Sequence, residues 1–247
     1  MAIVAGSKFE TYKQKILSLP RDYKEEDIKS KTFLLEVDEK KHLEIYYAPF
    51  EYVNESAKVM IVGITPGLHQ MKKSFSTILD PKNKGLSDEQ LLHEVKKNSS
   101  FEGPMRKNLI GMLDELGLHS YLGIESTSEL FTSASHLVQT ASVIRYPVFY
   151  KGKNYSGSTP KMLNTELLKK HIMDSFTEEL VRIQNPLIIP LGVNVTAVFN
   201  YLAENGYVSS DNVLYGFPHT SGGNGHRHRQ FAENKEQMKK KLASYFG

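Results

Sequence analysis

Short apolar runs rich in β-branched residues alternate with amphipathic segments along almost the whole chain of 247 residues. Two of these runs, residues 58–64 and 186–191, are typical of buried parallel strands, and each ends in a glycine-containing turn. Segments such as residues 105–116 repeat apolar positions at helical spacing. This alternation predicts an α/β fold, which we expect to be a three-layer α/β/α sandwich around a central, mainly parallel sheet.

The order of these segments gives an expected domain plan. No repeat or long linker divides the chain, so we expect a single domain over residues 1–247. Residues 1–57 form an N-terminal extension with a helix and a hairpin, and residues 69–98 form an insertion with one helix at 87–97. We also expect a loop at 145–160, one helix over 165–183 and a last strand at 212–217.

Composition narrows the classes of function. The chain has no cysteine, which excludes disulfides, thiolate metal sites, cysteine-ligated clusters and cysteine nucleophiles. Its net charge of +3 is too small to indicate a nucleic-acid partner by itself. No apolar run is long enough for a membrane helix, and the first ten residues lack the layout of a secretory signal. We therefore expect a cytoplasmic monomer with no membrane partner.

The turn Gly63-Ile64-Thr65-Pro66-Gly67 follows the first apolar strand. Ligands of α/β sheets bind beyond the carboxyl ends of strands, where such loops lie. Glycine and proline would let backbone N–H groups approach a ligand, and Thr65 would present a hydroxyl. The alternative is an ordinary structural turn.

A second unusual loop begins at His219. Residues 222–229 contain three glycines, two arginines and two histidines. The small residues expose backbone donors, and arginines supply phosphate contacts. The alternative is a flexible, solvated loop before the basic helix predicted at 229–245. His219, His226 and His228 do not have the spacing of a zinc site, so we expect no metal and no other cofactor.

A third segment is the strand over residues 137–144. Thr140 and Ser142 alternate onto one face, where their hydroxyls would read the edge of a planar ligand. The alternative is that both are buried hydroxyls bonded to neighbouring backbone.

Together these segments resemble the uracil-DNA glycosylase superfamily. The turn at Gly63–Leu68 is similar to the superfamily's first motif, and His219-Thr220-Ser221-Gly222 is similar to its closing motif. Phe101-Glu102-Gly103, with the helix after it, resembles the Phe-x-Gly segment of the bacterial and archaeal branch. Residues 140–147 and 186–192 resemble two further segments of that branch, and all five occur in the family's order.

The resemblance implies base flipping, in which an extruded nucleotide stacks on an aromatic ring and is read through its edge. Phe101 would be the stacking face, with Phe75 as the alternative. Thr65 and His219 take the catalytic positions, and His219 would stabilise charge on the base oxygen. The implied base-binding residues are Ile64, Pro66, Gly67, Phe101, Thr140 and Ser142. The implied DNA-binding residues are Ser221, Gly222, Gly223, Asn224, Arg227 and Arg229.

The chain departs from the family at the catalytic position. Thr65 stands where the family has Asp or Asn, Ile64 where one branch has Glu, and Thr140 near an expected Asn. A threonine hydroxyl cannot act as general base, although Asp80 or Glu102 would supply a carboxylate if either lay nearby. Three hypotheses follow: a DNA glycosylase acting on uracil or another deaminated base, a nucleic-acid or nucleotide binder of the same fold, and a small-molecule phosphate-ester enzyme.

Overall fold

The computed structural model describes residues 2–4 and 6–247. In chain order the strands are β1 (Leu34–Asp38), β2 (Leu43–Tyr46), β3 (Val59–Gly63), β4 (Val138–Ser142), β5 (Val148–Tyr150), β6 (Lys153–Asn154) and β7 (Leu187–Pro190). The helices are α1 (Phe9–Leu17), α2 (Glu25–Ile28), α3 (Leu68–Leu79), α4 (Asp88–Ser99), α5 (Pro104–Glu115), α6 (Leu118–Leu122), α7 (Glu166–His171), α8 (Thr177–Val181), α9 (Val193–Glu204) and α10 (Arg227–Phe246). None of these helices is long and apolar enough to cross a membrane.

The chain folds into two compact units that each contain one sheet. The antiparallel unit comprises the segment ending at Val53 together with Thr65–Ser100 and Ile144–Glu179. The parallel unit comprises Asn54–Ile64, Phe101–Val143 and Leu180–Gly247. The protein is therefore mixed α/β, with one parallel and one antiparallel sheet.

In the antiparallel unit the strand order is β1-β2-β5-β6. The hairpin predicted in the N-terminal extension is confirmed by β1 and β2, which pair antiparallel. The prediction of a loop over 145–160 is wrong, because β5 and β6 form a second hairpin there. Its two-residue turn is Lys151-Gly152, both with positive φ, and this lysine–glycine turn is a weaker hairpin signal than Asn-Gly.

Helices of the antiparallel unit explain the polar stretch at 69–98. The helix predicted at 87–97 is confirmed as α4, and the Ser87 hydroxyl caps it by accepting from the Gln90 N–H at 3.3 Å. A second helix, α3, precedes it and buries Met71, Phe75 and Ile78 on one face. The helix predicted over 165–183 is broken into α7 and α8 by a π-helical turn at Ile172–Phe176.

In the parallel unit β3 lies between β4 and β7, and both neighbours run parallel to it. All five residues of β3 are buried, which explains its continuous apolar sequence. The strand predicted at 212–217 is wrong: Val213 makes a single bridge with Ile188. Gly216 then turns the chain away at φ +90°, against the Asn234 side chain.

The core of the parallel unit comes from the apolar faces that helical spacing predicts. Leu109, Met112 and Leu113 on α5 are buried, as is Phe231 on α10. The Phe231 ring meets Phe217 edge-on at 6.1 Å between centroids. This packing places α5, α10 and the segment around Phe217 in one apolar cluster with β3 and β7.

Candidate functional site

The carboxyl ends of β3 and β4 carry two of the three candidate loops, and the turn after β7 lies against the third, at His219. β3 ends at Gly63, which lies opposite Ser142 at the end of β4. Gly192 closes the turn after β7. Because this is the edge at which α/β sheets bind ligands, the surrounding side chains of the parallel unit define the candidate site.

Phe101 lies at this edge in a strained conformation. Its φ is +54°, a left-handed value that costs a non-glycine residue about 1–2 kcal/mol. The ring is 4% exposed, and a Cβ built on Gly63 would lie 3.0 Å from its Cε1 atom. The same Cβ would lie 3.8 Å from the Ser142 hydroxyl oxygen. Phe101 therefore closes over the end of the central strand, and glycine at position 63 makes room for it.

His219 lies beside the turn that follows β7. A Cβ at Gly192 would be 2.8 Å from the Cβ of His219 and 3.1 Å from its backbone nitrogen. Gly192 also has φ +86°, which side-chain-bearing residues rarely adopt. The close contact with His219 and the positive φ are two independent reasons for glycine at position 192. The sequence alone indicates only that this glycine ends the predicted strand.

The hydrogen bonds of His219 determine its tautomer. The Ser221 N–H donates to Nδ1 at 3.4 Å, and the Ser221 hydroxyl lies 3.0 Å from the same nitrogen. Because a backbone N–H can only donate, Nδ1 is the acceptor and the proton resides on Nε2. Burial lowers the pKa of His219 below its ordinary value, which keeps the ring neutral at pH 7. The residue therefore carries an Nε2–H donor without a full positive charge.

Two asparagine side chains hold the main chain of the His219 loop. The Asn224 amide donates to the carbonyl oxygen of His219 at 2.9 Å. The Asn108 amide, from α5, donates to the carbonyl oxygen of Thr220 at 2.9 Å. The resemblance implies DNA contact for Asn224, whereas nothing in the sequence indicates Asn108, because a lone asparagine within an amphipathic helix carries no motif.

The glycine-rich part of the loop has no steric need for glycine. A Cβ at Gly222 or Gly223 would meet no described atom within 4 Å, and neither residue has a positive φ. Arg227 folds back so that its Nη1 donates to the Asn224 carbonyl at 3.0 Å. Arg229 is exposed and lies 3.7 Å from Glu233. Of the predicted phosphate contacts, Gly222, Gly223 and Arg229 are thus open to solvent.

The two predicted reader hydroxyls on β4 differ in exposure. Thr140 is buried within the sheet opposite Ile61, whereas Ser142 is partly exposed at the strand end. Because they alternate with Ala141, both lie on one face of the strand. Ser142 is the one that reaches the edge with Phe101.

Thr65, Pro66 and Gly67 belong to the antiparallel unit. The Thr65 hydroxyl donates to the carbonyl of Tyr146 at 2.7 Å and accepts from the N–H of Val148 at 3.1 Å. The hydroxyl proton of Thr65 is therefore already used in a hydrogen bond within the antiparallel unit. The Gly67 N–H donates to the Gln70 side chain at 2.9 Å at the start of α3, and Pro66 is buried. Ile64, the last residue of the parallel unit's strand segment, is 8% exposed.

The alternative candidates from the sequence are Phe75, Asp80 and Glu102, and each makes contacts within the protein. Phe75 is fully buried in the antiparallel unit, with its ring 4.9 Å from Phe33. The Asp80 carboxylate is exposed and accepts from the Lys82 N–H at 3.0 Å. Glu102 interacts electrostatically with Arg106. Among the described residues no group of three or more His, Cys, Asp and Glu side chains is arranged to hold a metal ion.

A set of buried polar groups in the antiparallel unit has no signal in the sequence. The Glu51 carboxylate is fully buried and accepts from the hydroxyls of Tyr47, Tyr146 and Ser7 and from the Lys8 N–H. These donors satisfy the lone pairs that burial would otherwise leave unpaired. Glu51 stands between segments distant in sequence, so no local pattern indicates it.

The fold and the candidate site together define a class: a mixed α/β protein with candidate ligand-binding loops at the carboxyl ends of its parallel strands. The chain is 37% identical over 245 residues to YoxB of Bacillus subtilis (strain 168), described as an uncharacterized protein. The alignment covers 98% of this chain and 95% of YoxB, so the chain belongs to the YoxB family. No protein-family model matches the chain. No solved structure matches it either.

Proposed function

We propose that this protein binds an extruded nucleobase at the edge of its parallel sheet and hydrolyses the N-glycosidic bond of uracil or another deaminated base in DNA. The finer fold assignment, a three-layer sandwich like that of uracil-DNA glycosylases, is part of this proposal. The observation that carries it is the strained, buried Phe101 at Gly63, because strained residues are concentrated at functional sites. A flipped base stacks on an aromatic ring. Because Phe101 is 4% exposed, its ring must turn outward before a base stacks on it.

His219 supports the chemistry of the proposed reaction. When the bond between C1′ and the base nitrogen breaks, its electron pair leaves with the base as an anion. The neutral imidazole offers an Nε2–H that would donate to the base oxygen as this charge develops. Water adds to C1′, and the proton that it loses balances the proton that the base anion finally takes up.

The open glycines support contact with DNA phosphates. Neither packing nor backbone conformation requires glycine at 222 and 223. Close approach of a ligand to the backbone would explain why these two positions are glycine. Arg229 lies outside these residues, where it would contact phosphate. Affinity that arises from such contacts falls as salt concentration rises.

The second candidate function is binding without efficient excision. The observation that favours it is the Thr65 hydroxyl, which the resemblance puts in the catalytic position and whose proton is donated to the Tyr146 carbonyl. It cannot accept a proton from water at neutral pH, and general-base assistance is worth about 10²–10⁴ in rate. If Thr65→Asp raises excision while DNA affinity stays level, the natural protein is mainly a binder.

The test is an excision assay on oligonucleotides that contain uracil, hypoxanthine or xanthine, in single- and double-stranded form, followed by alkaline cleavage. We expect cleavage by the natural protein and loss of it in His219→Ala. His136→Ala, at an exposed histidine of the same unit, is the control. DNA binding with no cleavage of any substrate would favour the second candidate. Thermal stabilisation by free nucleotides but not by DNA would instead support a small-molecule enzyme.

A further inference from the structure

The main chain around His219 is held by a side chain from a different element. Asn108 lies on α5, the helix that begins three residues after Phe101. Its amide nitrogen donates to the Thr220 carbonyl at 2.9 Å, across 112 positions of sequence. Phe101 thus lies just before the helix that contacts the His219 loop one turn after its start.

Two other contacts and the burial of Thr220 restrict the same short loop. Gly192 packs against the backbone of His219, and the Asn224 amide donates to the His219 carbonyl. The Thr220 side chain is fully buried. Each residue of the pair His219-Thr220 thus has its carbonyl oxygen held by an amide, which restricts the backbone that carries the imidazole.

We infer that Asn108 is a positioning residue: by holding the Thr220 carbonyl it keeps the Ser221 N–H directed at His219 Nδ1 and so keeps the ring proton on Nε2. The peptide that joins Thr220 to Ser221 contains both the carbonyl that Asn108 holds and the N–H that Nδ1 accepts. Because a peptide unit is planar, fixing its oxygen fixes the direction of its N–H. This role deepens the proposed function, on which its catalytic consequence rests.

The variants separate the hydrogen bond from the volume of the side chain. Asn108→Asp keeps the shape but replaces the donating amide by an oxygen that repels the Thr220 carbonyl. Asn108→Ala removes the donor without introducing a repelling oxygen, and it replaces the aspartate variant in the experiment if that variant does not fold. Asn200→Ala is the matched control, at an exposed asparagine on α9 in the same unit.

The primary readout is the ring of His219, followed by nuclear magnetic resonance of the ¹⁵N-labelled full chain across a pH titration. We expect the Nε2–H tautomer in the natural protein and in Asn200→Ala. In both Asn108 variants we expect a mixed tautomer and a pKa that moves up toward the ordinary histidine value. Unchanged tautomer and pKa in folded Asn108→Ala would overturn the inference.

Catalysis supplies a second and separable readout. With a uracil-containing oligonucleotide, Asn108→Ala is expected to lower kcat on the order of tenfold with little change in KM, because misorientation affects the reacting step more than DNA contact. If the natural protein excises no base but the ring of His219 responds as expected, the proposed function fails and the positioning role stands. If excision occurs and Asn108→Ala changes neither kcat nor the ring, the positioning role fails alone.

Discussion

The ring of Phe101 occupies the space in which a side chain at position 63 would begin, since its Cε1 atom is 3.0 Å from a Cβ built on Gly63. Gly63→Ala therefore forces the ring or the strand end to shift. We expect a loss of about 1–3 kcal/mol in the free energy of unfolding, measured with urea. Gly111→Ala, at an exposed helical position whose Cβ meets nothing, is the control and should be neutral or stabilising. Equal stability of the two variants would contradict the contact.

Gly192→Ala tests the packing of His219. The new Cβ would lie 2.8 Å from the His219 Cβ, and alanine must also adopt φ +86°. We expect a loss of at least about 2 kcal/mol and a changed resonance of the His219 ring. Gly222 has open space around it and no positive φ, so the free energy of unfolding of Gly222→Ala should lie within about 0.5 kcal/mol of that of the natural protein. A stable Gly192→Ala with an unchanged His219 would show that the turn is looser than this structure.

Thr220→Val is expected to stabilise the protein. The Thr220 hydroxyl is buried and has no hydrogen-bond partner among the described residues, so the isosteric methyl removes a desolvated polar group. The expected gain is about 1 kcal/mol, read from thermal and urea unfolding. Thr127 is equally buried, but its hydroxyl donates to the Ile110 carbonyl at 3.3 Å, so Thr127→Val should destabilise. Loss of stability in Thr220→Val would indicate a partner for its hydroxyl.

Stability should fall as pH drops below about 6.5. Burial lowers the pKa values of His93, His171 and His219, so each binds its proton more readily in the unfolded chain. The unfolded state then holds more protons, and the free energy of unfolding falls as pH decreases through this window. The carboxylates with lowered pKa values, such as Asp114, lose their contribution only at lower pH. Urea unfolding at pH 7.5 and 5.5 measures the effect, and equal stability at both would contradict it.

Sequence predicts well where local pattern and packing agree. The apolar run at 58–64 became β3, and the spacing of Leu109, Met112 and Leu113 identified the buried face of α5. The prediction of a strand at 212–217 is wrong because this segment makes only one bridge to β7, at Val213. The positive φ of Gly216 then turns the chain out of the strand direction. The apolar residues of this segment therefore indicate that it is buried, but they do not indicate that it pairs as a strand.

The site was only partly accessible from sequence. The motifs predict roles for Phe101 and His219, but the strained φ of Phe101 and the glycine contact at 192 exist only in three dimensions. Asn108 was missed because its partner lies 112 positions away. The task of the Thr65 hydroxyl was missed for a similar reason, since its acceptor is the carbonyl of Tyr146.

The central claim is that Phe101 receives an extruded base, and its most direct test is fluorescence of 2-aminopurine placed beside a uracil in duplex DNA. Extrusion of the uracil unstacks the probe, so we expect fluorescence to rise on adding the natural protein. Phe101→Ala should lose most of the rise, whereas Tyr121→Ala, at an exposed aromatic residue of the same unit, should retain it. No rise with the natural protein, or an equal rise with Phe101→Ala, would contradict the account.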